Sequence, residues 1–215
     1  MAWMPERRPI AAHLAVSGLT PVPATSTIWR ILSRRGFVAS QPQKRPRSSW
    51  RIFCADQPNE RWQADITHWR LAAGAEVDIL NILDDHSRVC IASAARLSFT
   101  AGQVWQVFLA AIGRWGDPAE VLTDNGAVFT GKQRGQGRVV LEVQLGLRRV
   151  RVSHSRPYHP QTCGKVERFH QTLKKWLARQ DPATTLTGLQ AQLDTFTAYY
   201  NTQRPHRAIG RRTPQ

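Results

Sequence analysis

At 215 residues, with a 41% hydrophobic share and 8 Trp, the chain can bury a full core with a small appendage, which excludes global disorder. Thirty Lys and Arg against fifteen Asp and Glu leave a formal charge of +15. That surplus suits a polyanion, because each phosphate met by Lys or Arg releases condensed counterions; a solvated basic face or an acidic membrane surface is the alternative.

Three cysteines, Cys54, Cys90 and Cys163, stand far apart with no CxxC pair, which excludes a disulfide scaffold and a cysteine-rich zinc finger. No apolar run is long enough to span a bilayer, and no signal-peptide pattern follows Met1. The expected location is the cytoplasm, in association with the nucleoid, with no membrane partner.

Residues 7–36 read as two short helices, the second capped by Thr25 or Ser26 and stopped by Gly36. Its apolar positions are Ile28, Ile31 and Leu32, and its basic ones include Arg30 and Arg34. Two helices with a basic second member suggest a partial helix-turn-helix over 1–36, although any two-helix appendage reads similarly. Residues 37–60 mix Pro, Ser and basic side chains without periodicity and read as a basic linker.

From Arg61 the texture changes. Trp62 to Leu71 and Glu76 to Leu83 are strand candidates, Asp84-Asp85-His86-Ser87 is a turn, and Arg88 to Ala95 is the return strand. Thr100 with Gln103 forms a capping-box pattern that opens a helix carrying Val104, Phe108, Ala111 and Ile112. Ala119 to Thr123 is a short strand, followed by the turn signal Asp124-Asn125-Gly126. A helix over Val139 to Leu145, a fifth strand over Leu147 to Val152, and helices over about Thr162 to Arg179 and Leu186 to Asn201 complete the reading. Hairpin strands followed by alternating helix and strand predict an α/β domain over 61–180, a mixed sheet flanked by helices. A C-terminal helix and basic tail occupy 181–215.

Three acids attract attention. Asp65 lies mid-strand in QADITHW, where Asp fits a half-buried pleat poorly, and shares its face with Gln63, Thr67 and Trp69. Asp124 follows an apolar strand at its carboxyl end, where open α/β sheets place ligands. Glu167 borders the helical stripe Val166, Phe169, Leu173, Trp176 and Leu177, while Lys165, Arg168, Thr172 and Lys175 form a basic flank. Each acid alone has an ordinary structural explanation. Yet between Gly131 and Arg179 there are twelve Lys and Arg and two acids, Glu142 and Glu167. An acid kept where phosphate binds is placed to hold a cation, and Mg²⁺ takes oxygen ligands and shares them with substrate phosphates. Asp84 with Asp85, and a hydrolase built on Cys163 with His159 or His170, are the competing sites.

The segments WQADIT (62–67), LDDHSR (83–88), LTDNGAVFTG (122–131), SRPYHPQTCGKVERFHQTLKKWL (155–177) and YYNTQRPHRAIGRRTP (199–214) resemble the catalytic core of bacterial insertion-sequence DDE transposases related to retroviral integrases. The resemblance implies a ribonuclease-H-like fold, five mixed strands with helices on both faces. It implies Asp65, Asp124 and Glu167 as the catalytic triad binding two divalent ions, Mg²⁺ or Mn²⁺. It implies cleavage at element ends and joining of the 3′-hydroxyl to target DNA, by a homo-oligomer on DNA and with no small-molecule substrate. Lys174 resembles a lysine that meets DNA near the active site, and Tyr158, His159 and Gln161 belong to a loop beside the substrate. With Arg156, Lys165, Arg168, Lys175, Arg30 and Arg34, they are the candidate DNA contacts.

Two departures stand out. Asp124 and Glu167 are 43 positions apart, where many relatives place about thirty-five residues between them; the excess fits Lys132–Arg138, a basic Gly-rich loop, and long surface insertions cost little closure entropy. Cys163 replaces an Asn common at that point. Relatives also carry a larger N-terminal DNA-binding region, so the alternative function is a truncated, non-catalytic DNA-binding fragment that modulates an intact transposase. A ribonuclease-H-type nuclease without joining activity is the third reading.

Overall fold

A computed structural model of the chain describes residues 7–37, 54–131, 137–155 and 164–215. Its contacts divide the chain into two units: Met1–Arg51 with Thr202–Pro214, and Ile52–Asn201 with Gln215.

In the smaller unit the two expected helices form, α1 (Arg7–Val16) and α2 (Thr25–Arg34). Ile28 is buried, whereas Ile31 is 52% exposed and Trp29 44%. The cap lies one residue earlier than the sequence suggests. Ala24, extended after Pro23, already accepts through its carbonyl from the Ile28 N–H, so Thr25 and Ser26 fall inside the helix. Gly36 ends it with φ +71°, a conformation that costs glycine little. Toward the C-terminus, the His206 N–H donates to the Arg212 carbonyl and the Arg211 N–H to that of His206 around a single 3₁₀ turn at Arg207–Ile209.

The larger unit is built on a five-stranded sheet: β1 (Arg61–Arg70), β2 (Glu76–Asp84), β3 (Cys90–Arg96), β4 (Glu120–Thr123) and β5 (Arg151–His154), in the order β3-β2-β1-β4-β5. The first three strands run antiparallel as hairpins; β4 pairs parallel to β1 and β5 parallel to β4. The remaining helices are α3 (Ala101–Trp115), α4 (Val140–Leu147), α5 (Gly164–Leu177) and α6 (Leu186–Thr202). Strand alternation divides the core into two layers. Trp62 and Ala64 of β1 and Leu80 and Ile82 of β2 pack with Val104, Phe108 and Ile112 of α3 and with Leu141 and Leu145 of α4. On the opposite face Val77, Ile79 and Leu83 pack with Phe169, Leu173 and Leu177 of α5 and with Leu189, Leu193, Phe196 and Tyr200 of α6.

The Thr100–Gln103 capping box is present in full at the start of α3. At α4 only half of one forms: Glu142 reaches back to the Val139 N–H at 3.0 Å, and Val139 has no side-chain acceptor to return the bond. Two strand limits differ from expectation. The fifth strand starts at Arg151 rather than Leu147, because α4 continues through Leu147 and Arg149 turns the chain with φ +62°. The return strand starts at Cys90 rather than Arg88, because Arg88 closes the turn with φ +70° and donates its N–H to the Asp84 carbonyl.

The last helix is joined to the sheet as well as to α5. Buried Asn201 accepts from the Cys90 N–H at 2.8 Å and donates to the Cys90 carbonyl at 3.0 Å, taking the place of a neighbouring strand at the start of β3. Among the described residues no helix is long and apolar enough to cross a membrane.

Candidate active site

The sheet order brings the two aspartates together. β1 and β4 are neighbouring strands, and Ala64 pairs with Thr123, so Asp65 and Asp124 are the residues that follow this pair, Asp124 just past the end of β4. The Asp65 Oδ1 accepts from the Ile66 N–H at 2.8 Å, leaving Oδ2 for other partners. Asp124 leaves the sheet into a tight turn in which its Oδ1 accepts from the Gly126 N–H at 2.9 Å. A Cβ at position 126 would stand 3.0 Å from that same Oδ1, so a side chain there would push the Asp124 carboxylate aside by a few tenths of an ångström. Asn125 pins the turn to the end of β5 by donating to the Ser155 carbonyl at 2.8 Å.

Glu167 approaches from α5. Its neighbour Val166 is buried against Leu122 of β4, while the Glu167 side chain itself is exposed. Asp124 and Glu167 act on Asp65. Burial, then the charge of Asp124, then that of Glu167 push the Asp65 carboxyl up to about 6, against a single opposing bond from the Ile66 N–H and a weak pull from His68. Such mutual repulsion is what a bound cation relieves, and an all-oxygen donor set suits Mg²⁺ or Mn²⁺. Among the described residues, no three Asp, Glu, His or Cys side chains converge closely enough to ligate one ion.

His170, one turn beyond Glu167, is a neighbour that sequence reasoning raised only as part of a hydrolase. Its Nδ1 lies 3.7 Å from the Asp65 Oδ2, within ion-pair reach. Burial, with Lys174 adding to it, pushes the imidazole down to about 4, so at neutral pH the contact is dipolar rather than ionic. The signal in the sequence was the Glu167-to-His170 spacing, which places both on one helical face.

Three other acids, Asp84, Asp85 and Glu142, are satisfied structurally. Asp84 caps its own turn, accepting from the Ser87 N–H at 2.7 Å and from the Asn59 N–H at 2.8 Å. Asp85, 1% exposed, accepts from the Ala55 N–H, from Gln63 and from Lys165. Glu142 accepts from the Val139 N–H, from Thr130 and from His154, whose other ring nitrogen meets the Thr123 hydroxyl at 2.8 Å. Burial opposes the Glu142 charge, but these bonds outweigh it and hold the carboxyl below its usual range.

The candidate DNA contacts separate into three groups. Arg168 and Lys175 on α5 and Arg30 and Arg34 on α2 are exposed, and Lys174 is half-buried. Arg156, Tyr158, His159, Gln161 and Cys163 lie outside the described residues, as do positions 132–136 of the insertion. Lys165 departs from the expected basic flank. Its side chain is only 16% exposed and its Nζ is turned onto Asp85, because a lysine in the first turn of α5 can reach the buried carboxylate in the turn after β2.

Two models of a family described as integrase core domain match this chain, over residues 55–160 and 148–214. A Pol-related polyprotein of a mouse intracisternal A-particle is 31% identical over 126 residues, 58% of this chain and 13% of that protein. An uncharacterised 31.7 kDa protein of insertion element IS407 from Burkholderia multivorans is 24% identical over 190 residues, 87% of this chain and 66% of its own length. The chain thus spans a small part of the polyprotein and about two thirds of the insertion-element protein. Among solved structures, the fold resembles a simian T-cell lymphotropic virus intasome chain, with a TM-score of 0.64 at 22% identity over 95% of this chain and 68% of that one. It also resembles the HTLV-2 integrase catalytic core domain in complex with magnesium, with a TM-score of 0.57 at 20% identity over 73% of this chain and 94% of that one.

Proposed function

Since this chain belongs to the integrase core domain family, we propose that it is a DDE transposase in which Asp65, Asp124 and Glu167 carry the reaction. The observation that supports this most is the pairing of β1 with β4, which sets Asp65 beside Asp124 in a chain with a net charge of +15, where burial and then the charges of Asp124 and Glu167 push the Asp65 carboxyl up. Without a cation such an arrangement only destabilises the fold, and buried structural carboxylates in this protein, Asp84 and Asp85, are instead surrounded by donors.

Asp65, Asp124 and Glu167 would hold two divalent ions, Mg²⁺ or Mn²⁺, which when bound supply activation of the attacking oxygen and stabilisation of the leaving one. The chain's own groups do the rest. The Asp124–Gly126 turn fixes one carboxylate at the end of β4, and His170, uncharged, fills the space beside Asp65 without competing as a cation. Lys174, two turns beyond Glu167, and Arg168 and Lys175 on the neighbouring exposed flank of α5 would take the phosphates of element-end and target DNA. The substrates are DNA ends and a target duplex, and a homo-oligomer would pair two ends in the cytoplasm at the nucleoid. Arg30 and Arg34 of α2 would contribute to end recognition.

The test is Mg²⁺- or Mn²⁺-dependent cleavage and joining of element-end DNA by the wild-type chain and by Asp124→Asn. Metal-dependent products from the wild type alone support the enzyme. Equal behaviour of the two on such DNA leaves the non-catalytic DNA-binding reading in its place.

A further inference from the structure

A buried polar clasp sits at the N-terminal end of α5. Asp85, in the turn after β2, has its Oδ1 2.5 Å from the Gln63 Nε2 and its Oδ2 2.5 Å from the Lys165 Nζ. The Ala55 N–H donates to the same Oδ2 at 2.6 Å, and the Lys165 Nζ also donates to the Asp85 carbonyl at 3.2 Å. The other end of the Gln63 amide accepts from the Val166 N–H at 3.4 Å, one of the α5 first-turn donors that no helical carbonyl can serve. Gln63 and Asp85 are each 1% exposed.

Position gives this cluster its meaning. Gln63 precedes Asp65 by two residues on the same face of β1, and Lys165 precedes Glu167 by two residues on α5. The clasp therefore joins the strand that carries one acid to the helix turn that carries another. Helix–sheet packing is thin there, because the Glu167 side chain is exposed and, among the described residues, Val166 is the buried apolar residue of the first turn of α5. A half-buried lysine already engaged by a carboxylate is also a poor phosphate contact, since meeting DNA would strand the Asp85 charge.

We propose that Asp85, Gln63 and Lys165 are positioning residues that set Glu167 against Asp65, and that Lys165 serves the metal site rather than DNA. This rests on the reading of Asp65, Asp124 and Glu167 as metal ligands. Groups that orient a ligating carboxylate from outside the metal's own shell commonly change metal affinity by about 10- to 100-fold when removed.

The experiment compares wild type, Lys165→Gln and Lys175→Gln in three measurements on the full chain. These are hydrogen exchange of residues 164–170 without metal, the Mn²⁺ concentration giving half-maximal thermal stabilisation, and the salt dependence of binding to a short DNA duplex. For Lys165→Gln, exchange at the start of α5 accelerates and the Mn²⁺ midpoint rises about 10- to 100-fold, while the salt slope stays at the wild-type value. Lys175→Gln lowers the salt slope by about one and leaves the other two unchanged. Unchanged exchange in Lys165→Gln, or a lowered salt slope with an unchanged Mn²⁺ midpoint, overturns the proposal. A wild type that does not respond to Mn²⁺ overturns the metal reading instead, and exchange alone then decides the clasp. Should Lys165→Gln unfold because Asp85 is left unpaired, the double variant Asp85→Asn with Lys165→Gln strands no buried charge; shifts in the same direction support the clasp, and wild-type behaviour overturns it.

Discussion

Replacing Asp65 with Asn removes a charge that the metal-free fold tolerates poorly, so it is expected to stabilise the protein while disabling it. The Asp65 carboxyl is pushed from 3.8 to about 6 by burial and by Asp124 and Glu167. Because the folded value lies above the unfolded one, proton binding favours the folded state. The penalty is therefore absent below about pH 4, grows between about 4 and 6, and is complete above about 6. Its full size corresponds to about 3 kcal/mol, since each tenfold change in proton affinity is worth about 1.4 kcal/mol. Asn keeps an oxygen for the Ile66 N–H but adds an amide that needs a partner, so a gain of about 1–3 kcal/mol at pH 8 is expected. For a chain of this size that is a rise in Tm of roughly 2–10 °C. Urea unfolding of wild type and Asp65→Asn with a chelator present, at pH 4 and pH 8, measures it. The two curves should nearly coincide at pH 4 and separate at pH 8 in favour of Asn. A variant less stable than wild type at pH 8 would mean instead that Asp65 is a satisfied structural acid.

Three further outcomes are expected. Gly126→Ala sets a methyl group 3.0 Å from the Asp124 Oδ1 and should raise the Mn²⁺ midpoint for thermal stabilisation by about 10- to 100-fold, with melting of the metal-free protein nearly unchanged. Asn201→Ala leaves the buried Cys90 N–H and carbonyl without their partner and should cost about 1–3 kcal/mol for each group, read by urea denaturation. Phe196→Ala empties a fully buried site between α5 and α6 and should cost about 3–5 kcal/mol, a loss too large for a helix that merely rests on the domain.

Much of the fold was legible because its signals are periodic and local. Alternation in β1 and β2 separates Trp62 and Ala64 from Gln63 and Asp65, and the Thr100–Gln103 pair marks a helix start wherever the rest of the chain goes. The adjacency of Asp65 and Asp124 was not legible from periodicity, since it depends on β4 pairing with β1 rather than with β3; the family resemblance carried that step. Boundaries failed where one residue with positive φ, Arg88 or Arg149, ended an element that composition alone would continue. The direction of Lys165 failed for a different reason. A lysine's type does not reveal whether a buried carboxylate 80 positions earlier in the chain will claim it. The role of Asn201 was hidden in the same way, because its partner Cys90 is 111 positions distant.

The most direct test of the central claim is strand cleavage and joining on element-end DNA with and without Mg²⁺ or Mn²⁺, comparing wild type with Asp124→Asn. Joined products are expected from the wild type only when the metal is present and none from the variant, with DNA binding by both. Products that persist without metal, or that Asp124→Asn forms as readily as wild type, would contradict it.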